Sequence, residues 1–232
     1  MTTHANEIPQ SAMAIVAHPD DTEFSMAGTA ALWSRAGCRF VYVICTDGNA
    51  GSHDPEMTAE RLAEIRRAEQ RAACALLGVE DVVFLGYPDG QLQPTLELRR
   101  ELVRLIRRYR PEVLFCGDPT VVFTSRYINH PDHRAAGLAA LEAVFPACEM
   151  RLLWPEAGPP HKVSRVYILN GDPANEWIDI TATIDLKVQA LQQHVSQVGG
   201  WDVEARIRQR SAEIGEEKGF VYAERFRVIA RG

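Results

Sequence analysis

The 232-residue chain has no apolar run of about 18 residues, and its opening MTTHANEIPQSAM lacks a basic stretch followed by an apolar one. The first absence excludes a transmembrane helix and the second an export signal, so a cytoplasmic protein with no membrane partner is expected. Positive charge is also short. The 25 Lys and Arg against 31 Asp and Glu leave a formal net charge of −6, without the basic footprint that non-specific nucleic-acid binding needs. One helix-like stretch, Leu98–Arg110, is basic through Arg99, Arg100, Arg104, Arg107, Arg108 and Arg110. No nucleic-acid motif accompanies it, so it reads as a solvated face or a subunit contact. Cysteine is sparse. Cys38, Cys45, Cys74, Cys116 and Cys148 form no CxxC pair and lie mostly in apolar runs. They are expected as small buried hydrophobes in a reducing compartment, not as disulfides or thiolate ligands. Internal repeats and low-complexity segments are missing, and so is a dinucleotide-binding GxGxxG.

What is present is an ordinary globular composition, 46% hydrophobic and 24% charged, in a length that favours one domain spanning residues 1–232. Short β-rich apolar runs alternate with helical patterns. Strands are expected at Ala12–Ala17, Arg39–Thr46, Val82–Leu85 and Glu112–Cys116. Helices are expected at Ser25–Arg35 with Ser25 as N-cap, Thr58–Leu77, Leu96–Tyr109 and His133–Phe145. The second half is less regular, with strands at Arg165–Leu169, Trp177–Ile180 and Phe220–Ile229 and helices at Thr183–Gln193 and Val203–Gly215. This alternation predicts an α/β fold, a Rossmann-like open and mostly parallel sheet with helices on both faces and C-terminal αβ additions. Ligands in such sheets bind beyond the carboxyl ends of the strands, so chemistry is sought just after each strand.

Four strand ends carry unusual polar loops. They are His18-Pro19-Asp20-Asp21-Thr22-Glu23, Asp47–His53, Gly86-Tyr87-Pro88-Asp89-Gly90, and Asp118 with the later Asn129-His130-Pro131-Asp132-His133. His18, Asp20, Asp21, His130 and His133 belong together. A His and a carboxylate three residues apart can bite one cation, and a His from another strand end completes a facial set of three. Two His and one carboxylate with an open position suit catalytic zinc and also non-haem iron. Either HisPro loop alone would pass as a solvent-exposed proline turn; two of them, both after strands, point to a metal. A carboxylate beside the ligands can take a proton from water, and a non-ligand His can contact an oxyanion or protonate an amine.

These residues identify the chain as resembling the LmbE-like (PIG-L) family of metal-dependent N-deacetylases. AHPDD near the N-terminus and HPDHRAAG after a long gap carry the resemblance. Thr46-Asp47-Gly48, Arg66–Glu69, Tyr87-Pro88-Asp89-Gly90 and the Lys187–Gln197 segment follow in family-like order. The resemblance implies that His18, Asp21 and His133 hold Zn2+, with Fe2+ also accommodated. It makes Asp20 the general base and His130 the oxyanion or amine-protonating group. Asp132 becomes the carboxylate partner of a histidine, and His194 a second candidate acid. Arg66 and Asp89 are implied to reach the substrate and Tyr127 to contact it, although Tyr127 is spaced one residue differently from the family pattern. The implied activity is removal of an N-acyl group, acetyl above all, from a small amino-sugar conjugate. A hydratase acting on an unsaturated dicarboxylic acid is the alternative, and homo-oligomers are an open possibility. His53 could border the pocket. His4 and His161 read as ordinary exposed residues. Trp154, Trp177 and Trp201 could form a sugar-stacking wall, although packing is the commoner use of Trp.

Overall fold

The computed structural model describes residues 8–125 and 127–231; His4 lies outside them. One seven-stranded sheet runs through the molecule in the order β3-β2-β1-β4-β5-β7-β6. Its strands are β1 (Ser11–Val16), β2 (Arg39–Thr46), β3 (Asp81–Tyr87), β4 (Val113–Gly117), β5 (Arg165–Leu169), β6 (Glu176–Asp179) and β7 (Ala223–Ala230). The first five are parallel, while β7 pairs antiparallel with both β5 and β6. The expected fold class is the observed one. The antiparallel edge is the C-terminal addition.

β1 is buried along its whole length because helices cover both faces. Ala12, Ala14 and Val16 point into one core, with Met26 of α1 (Asp21–Arg35), Ala73 of α2 (Ala59–Leu77), Leu191 of α5 (Ile184–Gln192) and Ile207 of α7 (Val203–Glu216). Met13, Ile15 and Ala17 point into the other, with Leu102 and Ile106 of α3 (Leu96–Tyr109) and Ala136 and Ala140 of α4 (Pro131–Glu142). The five cysteines are all buried and unpaired.

Strand order reverses between β1 and β4. Connections from β1 run outward through β2 to β3, and the chain then returns to lay β4 on the other side of β1. The crevice beyond the carboxyl ends of these two strands is the topological switch point where open α/β sheets bind ligands. The two HisPro segments flank it.

Several local details near the site differ from expectation. Helix α1 begins at Asp21 instead of after Ser25, because the chain turns straight from β1 into the helix. Asp20 takes the cap position in the left-handed region (φ 93°) and its side chain caps nothing. Helix α4 starts at Pro131, with His130 accepting the Asp132 N–H, and ends at Glu142 in a wider turn over Ala143–Ala147 that contains Pro146. His194 is not inside a helix; it sits at the break between α5 and the short α6 (Val195–Val198).

Three arginines on the basic face of α3 are paired with carboxylates within the fold. Arg99 pairs with Glu142, Arg100 with Glu156, and Arg104 with Glu101. Arg107 is buried, and its guanidinium donates to the carbonyls of Ala147, Cys148, Met150, Trp154 and Gly158. It pins the irregular stretch after α4, a use of arginine that composition does not reveal. No described helix is long and apolar enough to cross a membrane.

Candidate active site

The His18–Asp21 loop is the floor of the site. Asp21 Oδ2 accepts the N–H groups of Ala17 (3.1 Å) and His18 (2.9 Å), which fixes its carboxylate and turns Oδ1 toward His133 Nε2 at 3.1 Å. Burial alone would raise the Asp21 pKa, but the His133 imidazole beside it holds it well below the usual carboxylate range. On the other side, His133 Nδ1 lies 3.2 Å from Asn129 Oδ1. An amide oxygen there takes the Nδ1 proton and leaves the Nε2 lone pair facing inward. Asn129 is itself held by donating to the Val121 carbonyl. Asn129 was not singled out in the sequence; its position one turn before His133 was the available signal.

His18 is the hub. Its ring centroid is 4.8 Å from that of His130 and 5.1 Å from that of His133. Nε2 lies 3.0 Å from Asp89 Oδ1 and 3.5 Å from Asp132 Oδ2, while Nδ1 faces Asp21. Burial opposes charge on this ring, yet Asp132 and Asp89 push its pKa up to about 10.

Two groups of side chains have donor atoms within 4.8 Å of one another, His18/Asp21/His133 and His18/Asp89/His130. One imidazole offers a single lone pair while its other nitrogen keeps a proton, so His18 serves one group as ligand and the other as donor. The two carboxylates against Nε2 favour a proton there, which leaves Nδ1 for a cation shared with Asp21 and His133. Zinc tetrahedra have ligand–ligand edges of about 3.3 Å. The 3.1 Å Asp21–His133 spacing matches such an edge, and the donor set of two imidazoles and one carboxylate fits a divalent cation with an open position.

Asp20 stands next to this set without joining it. Its carboxylate meets Arg66 Nη2 at 3.1 Å, and Gln70 Oε1 accepts its backbone N–H at 3.0 Å. Burial raises the Asp20 pKa to about 7 against the opposing pull of Arg66. Arg66 and Gln70 are one helical turn apart on α2, so one face of that helix grips one residue. Arg66 also donates to the carbonyls of Pro19 (2.6 Å) and Gly48 (2.8 Å). Gly48 is required there. Its φ is +61°, and a Cβ would stand 2.2 Å from the Arg66 guanidinium. Arg66 was expected to reach the substrate. Instead it is 4% exposed, turned inward, and committed to holding Asp20 and its loop.

Asp89 is likewise committed. Its side chain faces His18, and its Oδ2 accepts the Ala50 N–H at 2.9 Å, which leaves little of it for sugar hydroxyls. Asp132 is fully buried and accepts the Gly90 (2.7 Å) and Leu92 (3.2 Å) N–H groups, so it anchors the Pro88–Gly90 turn while facing His18. His130 is exposed, and its Nδ1 accepts the Asp132 N–H at 3.2 Å. That bond leaves its proton on Nε2. Burial and the neighbouring His18 lower its pKa, which favours the neutral ring.

Tyr127 lines the cleft beside Asp21 and His133 and is half exposed. His194 departs from expectation. It is fully buried, with Nε2 3.4 Å from Glu23 Oε2, and is closed off from any leaving group in the cleft. His53 is exposed in its loop, and His161 is half-buried with Nε2 against the Pro111 carbonyl. The three tryptophans form no wall. Trp154 packs into the α3/α4 core, Trp177 donates to Glu217 at the β6 edge, and Trp201 stacks on Phe24 with Arg206 over its ring.

Comparison with known proteins agrees with this geometry. The chain is 32% identical over 223 residues to the diacetylchitobiose deacetylase of Thermococcus kodakarensis, covering 94% of this chain and 82% of that protein. The fold superposes on N,N'-diacetylchitobiose deacetylase from Pyrococcus horikoshii with a TM-score of 0.88 and 31% identity, over 96% of this chain and 84% of that one. It shares its fold alone with GalB, the 4-carboxy-2-hydroxymuconate hydratase of Pseudomonas putida KT2440, at a TM-score of 0.80, 23% identity and coverage of 96% and 97%. Residues 13–144 match the family model described as PIG-L, GlcNAc-PI de-N-acetylase, and the chain belongs to that family.

Proposed function

We propose that the protein hydrolyses the N-acetyl group of a small amino-sugar conjugate, with a divalent cation, Zn2+ before Fe2+, held by His18 Nδ1, Asp21 Oδ1 and His133 Nε2. The observation that carries this reading is Asp20. It is a buried carboxylate beside the ligand set, outside it, gripped through backbone and side chain by Arg66 and Gln70. A protein that merely bound a ligand would have no use for it. When bound, the cation supplies Lewis acidity toward an amide carbonyl and a water molecule. The protein's own groups move the protons. Asp20 takes a proton from the water whose oxygen attacks the acyl carbon. His130 presents Nε2–H to the oxygen that gains charge, and Asp20 passes the proton it has taken on to the nitrogen that leaves. The C–N bond breaks, and a carboxylate and a free amine result. Asp132 and Asp89 hold the His18 ring so that Nδ1 faces the cation.

The diacetylchitobiose deacetylases supply the substrate class, since both named relatives act on an N-acetylated amino sugar. The hydratase alternative calls for arginines free to receive a dicarboxylate. Arg66 is committed to Asp20 and two carbonyls, and Arg67 is held bidentately by Asp47, at 2.7 and 2.5 Å. Neither favours that reading.

The test is direct. Purified Zn2+-loaded protein is incubated with N-acetylglucosamine and N,N'-diacetylchitobiose, and free acetate and amine are quantified in equal amounts. Hydration of an unsaturated dicarboxylate with no amine released from any N-acetyl sugar would overturn the proposal.

A further inference from the structure

Beneath Asp20 lies a run of completely buried polar side chains for which the deacetylation chemistry has no direct use. His194, Glu23, Thr22 and Gln70 are all 0% exposed. Gln70 Oε1 accepts the Asp20 N–H at 3.0 Å, and Gln70 Nε2 donates to Glu23 Oε1 at 2.9 Å. Glu23 Oε2 accepts the Thr22 hydroxyl at 2.9 Å and faces His194 Nε2 at 3.4 Å. These residues come from α1, α2 and the break between α5 and α6, so three segments distant in sequence converge on one backbone amide.

Burying an amide, a carboxylate and an imidazole together is costly unless each finds its partners. An apolar set of similar size would pack α1 against α2 with less penalty. What the polar set adds is direction. Asp20 is a non-glycine residue at φ 93°, a disfavoured conformation that persists only where surrounding contacts over-determine it. Arg66 holds the outer side of the residue, through its carboxylate and the Pro19 carbonyl. The Gln70 oxygen holds its amide from within.

We infer that His194, Glu23 and Gln70 form a positioning relay that locks the backbone of Asp20 in its left-handed conformation and so aims its carboxylate. The relay rests on the deacetylase reading only for its kinetic consequence; its structural consequence is measurable without turnover. Gln70 is the link that touches Asp20. Glu23 orients the Gln70 amide so that its oxygen, not its nitrogen, faces Asp20. His194 Nε2 stands 3.4 Å from Glu23 Oε2 on the opposite side, an ion-pair contact without a hydrogen bond, and so sets the Lys187–Gln197 segment against α1. On this account His194 acts through two other side chains and never meets the substrate.

The test compares wild type with Gln70→Met, His194→Phe, the double variant and Glu23→Gln, all Zn2+-loaded. Hydrogen exchange by mass spectrometry on the peptide covering residues 18–24 should accelerate at least 10-fold in Gln70→Met, with metal content unchanged. With N,N'-diacetylchitobiose as substrate, kcat should fall 10- to 100-fold while KM stays within about twofold. The double variant should lose no more than the worse single variant, because members of one relay are not additive. Glu23→Gln keeps an acceptor for the Gln70 amide and should retain most of kcat. Unchanged exchange at residues 18–24 in Gln70→Met would overturn the relay, whatever the substrate. So would additive losses in the double variant, or a loss confined to KM. If no variant or wild type turns over the sugar while exchange still accelerates, the relay stands and the substrate assignment fails. Should Gln70→Met not fold, Gln70→Glu, which keeps the acceptor for Asp20 but sets a carboxylate against Glu23, reads the same coupling by exchange, and unchanged exchange there counts against the relay equally.

Discussion

The two segments that border the site are held in opposite ways. Residues 17–23 are pinned from every direction. Asp21 caps its own loop, Arg66 and Gln70 hold Asp20, and Asp89 and Asp132 hold His18. The segment that follows β4 is open. Val122, Phe123, Tyr127 and Ile128 are 45%, 72%, 53% and 84% exposed, and the segment ends at the exposed His130. The contrast divides the labour. On the proposed mechanism Asp20, which must take a proton across a fixed distance, sits in the rigid segment, where small displacements are costly to rate. On the same proposal the open segment is the side that meets the substrate. His133 joins the two, since its helix begins at the end of the open segment while its Nε2 faces Asp21.

This division can be broken by experiment, and the largest effect is expected at the junction. Asp21→Ala or His133→Ala should lose the cation, measured by elemental analysis after gel filtration, and with it all detectable acetate release. Chelation of the wild-type protein should do the same, and Zn2+ should restore activity. Retention of both metal and turnover in either variant would remove the ligand assignment. Next comes Asp20→Asn, which keeps the shape of the rigid segment and removes its base. A drop in kcat of about 10²–10⁴-fold with full metal content is expected. Wild-type kcat in that variant would mean that the buried carboxylate serves the fold alone. His130→Gln, in the open segment, should cost about 10²-fold in kcat, because the donor it supplies can be replaced in part by water. If it instead cost metal, His130 would belong with the ligands.

The same contrast explains what could be read from the chain. The parallel core was legible because its strands are short apolar runs bounded by turns, as in Arg39–Thr46, which forms β2 with the bounds expected. The gathering of His18, Asp21 and His133 was legible because the family resemblance joined two motifs that spacing alone leaves apart. The inward turn of Arg66 was not legible. On a helix with Arg61, Arg67 and Arg71 nearby it looks like one more solvated cation, and only the Gly48 turn and the Asp20 loop give it a buried place. Gln70 and Asn129 were silent for a related reason. Amides carry no charge pattern, and their worth depends on which backbone or ring nitrogen the fold sets against them. The burial of His194 was not legible because it lies just past the end of the expected Thr183–Gln193 helix, where pattern does not say which way a ring turns; the chain breaks there and turns it into the core.

The smallest effect is expected at the tip of the open segment, and it bears most closely on the division of labour. Phe123 is 72% exposed and joined to Ile128 by a backbone bridge. Truncating so exposed a side chain should change stability by no more than about 0.5 kcal/mol. The groups that hold Asp20, Arg66 and Gln70, lie on α2, so kcat should be unchanged. If the open segment adapts to the ligand, Phe123→Ala should raise KM by a few-fold for N,N'-diacetylchitobiose and by less for N-acetylglucosamine, because only the longer sugar extends past the reacting ring. Equal effects on both sugars would place the contact at the reacting ring. A fall in kcat with KM constant would mean that the open segment helps to set the catalytic geometry, and the distinction between a rigid and an adaptable side would then be lost.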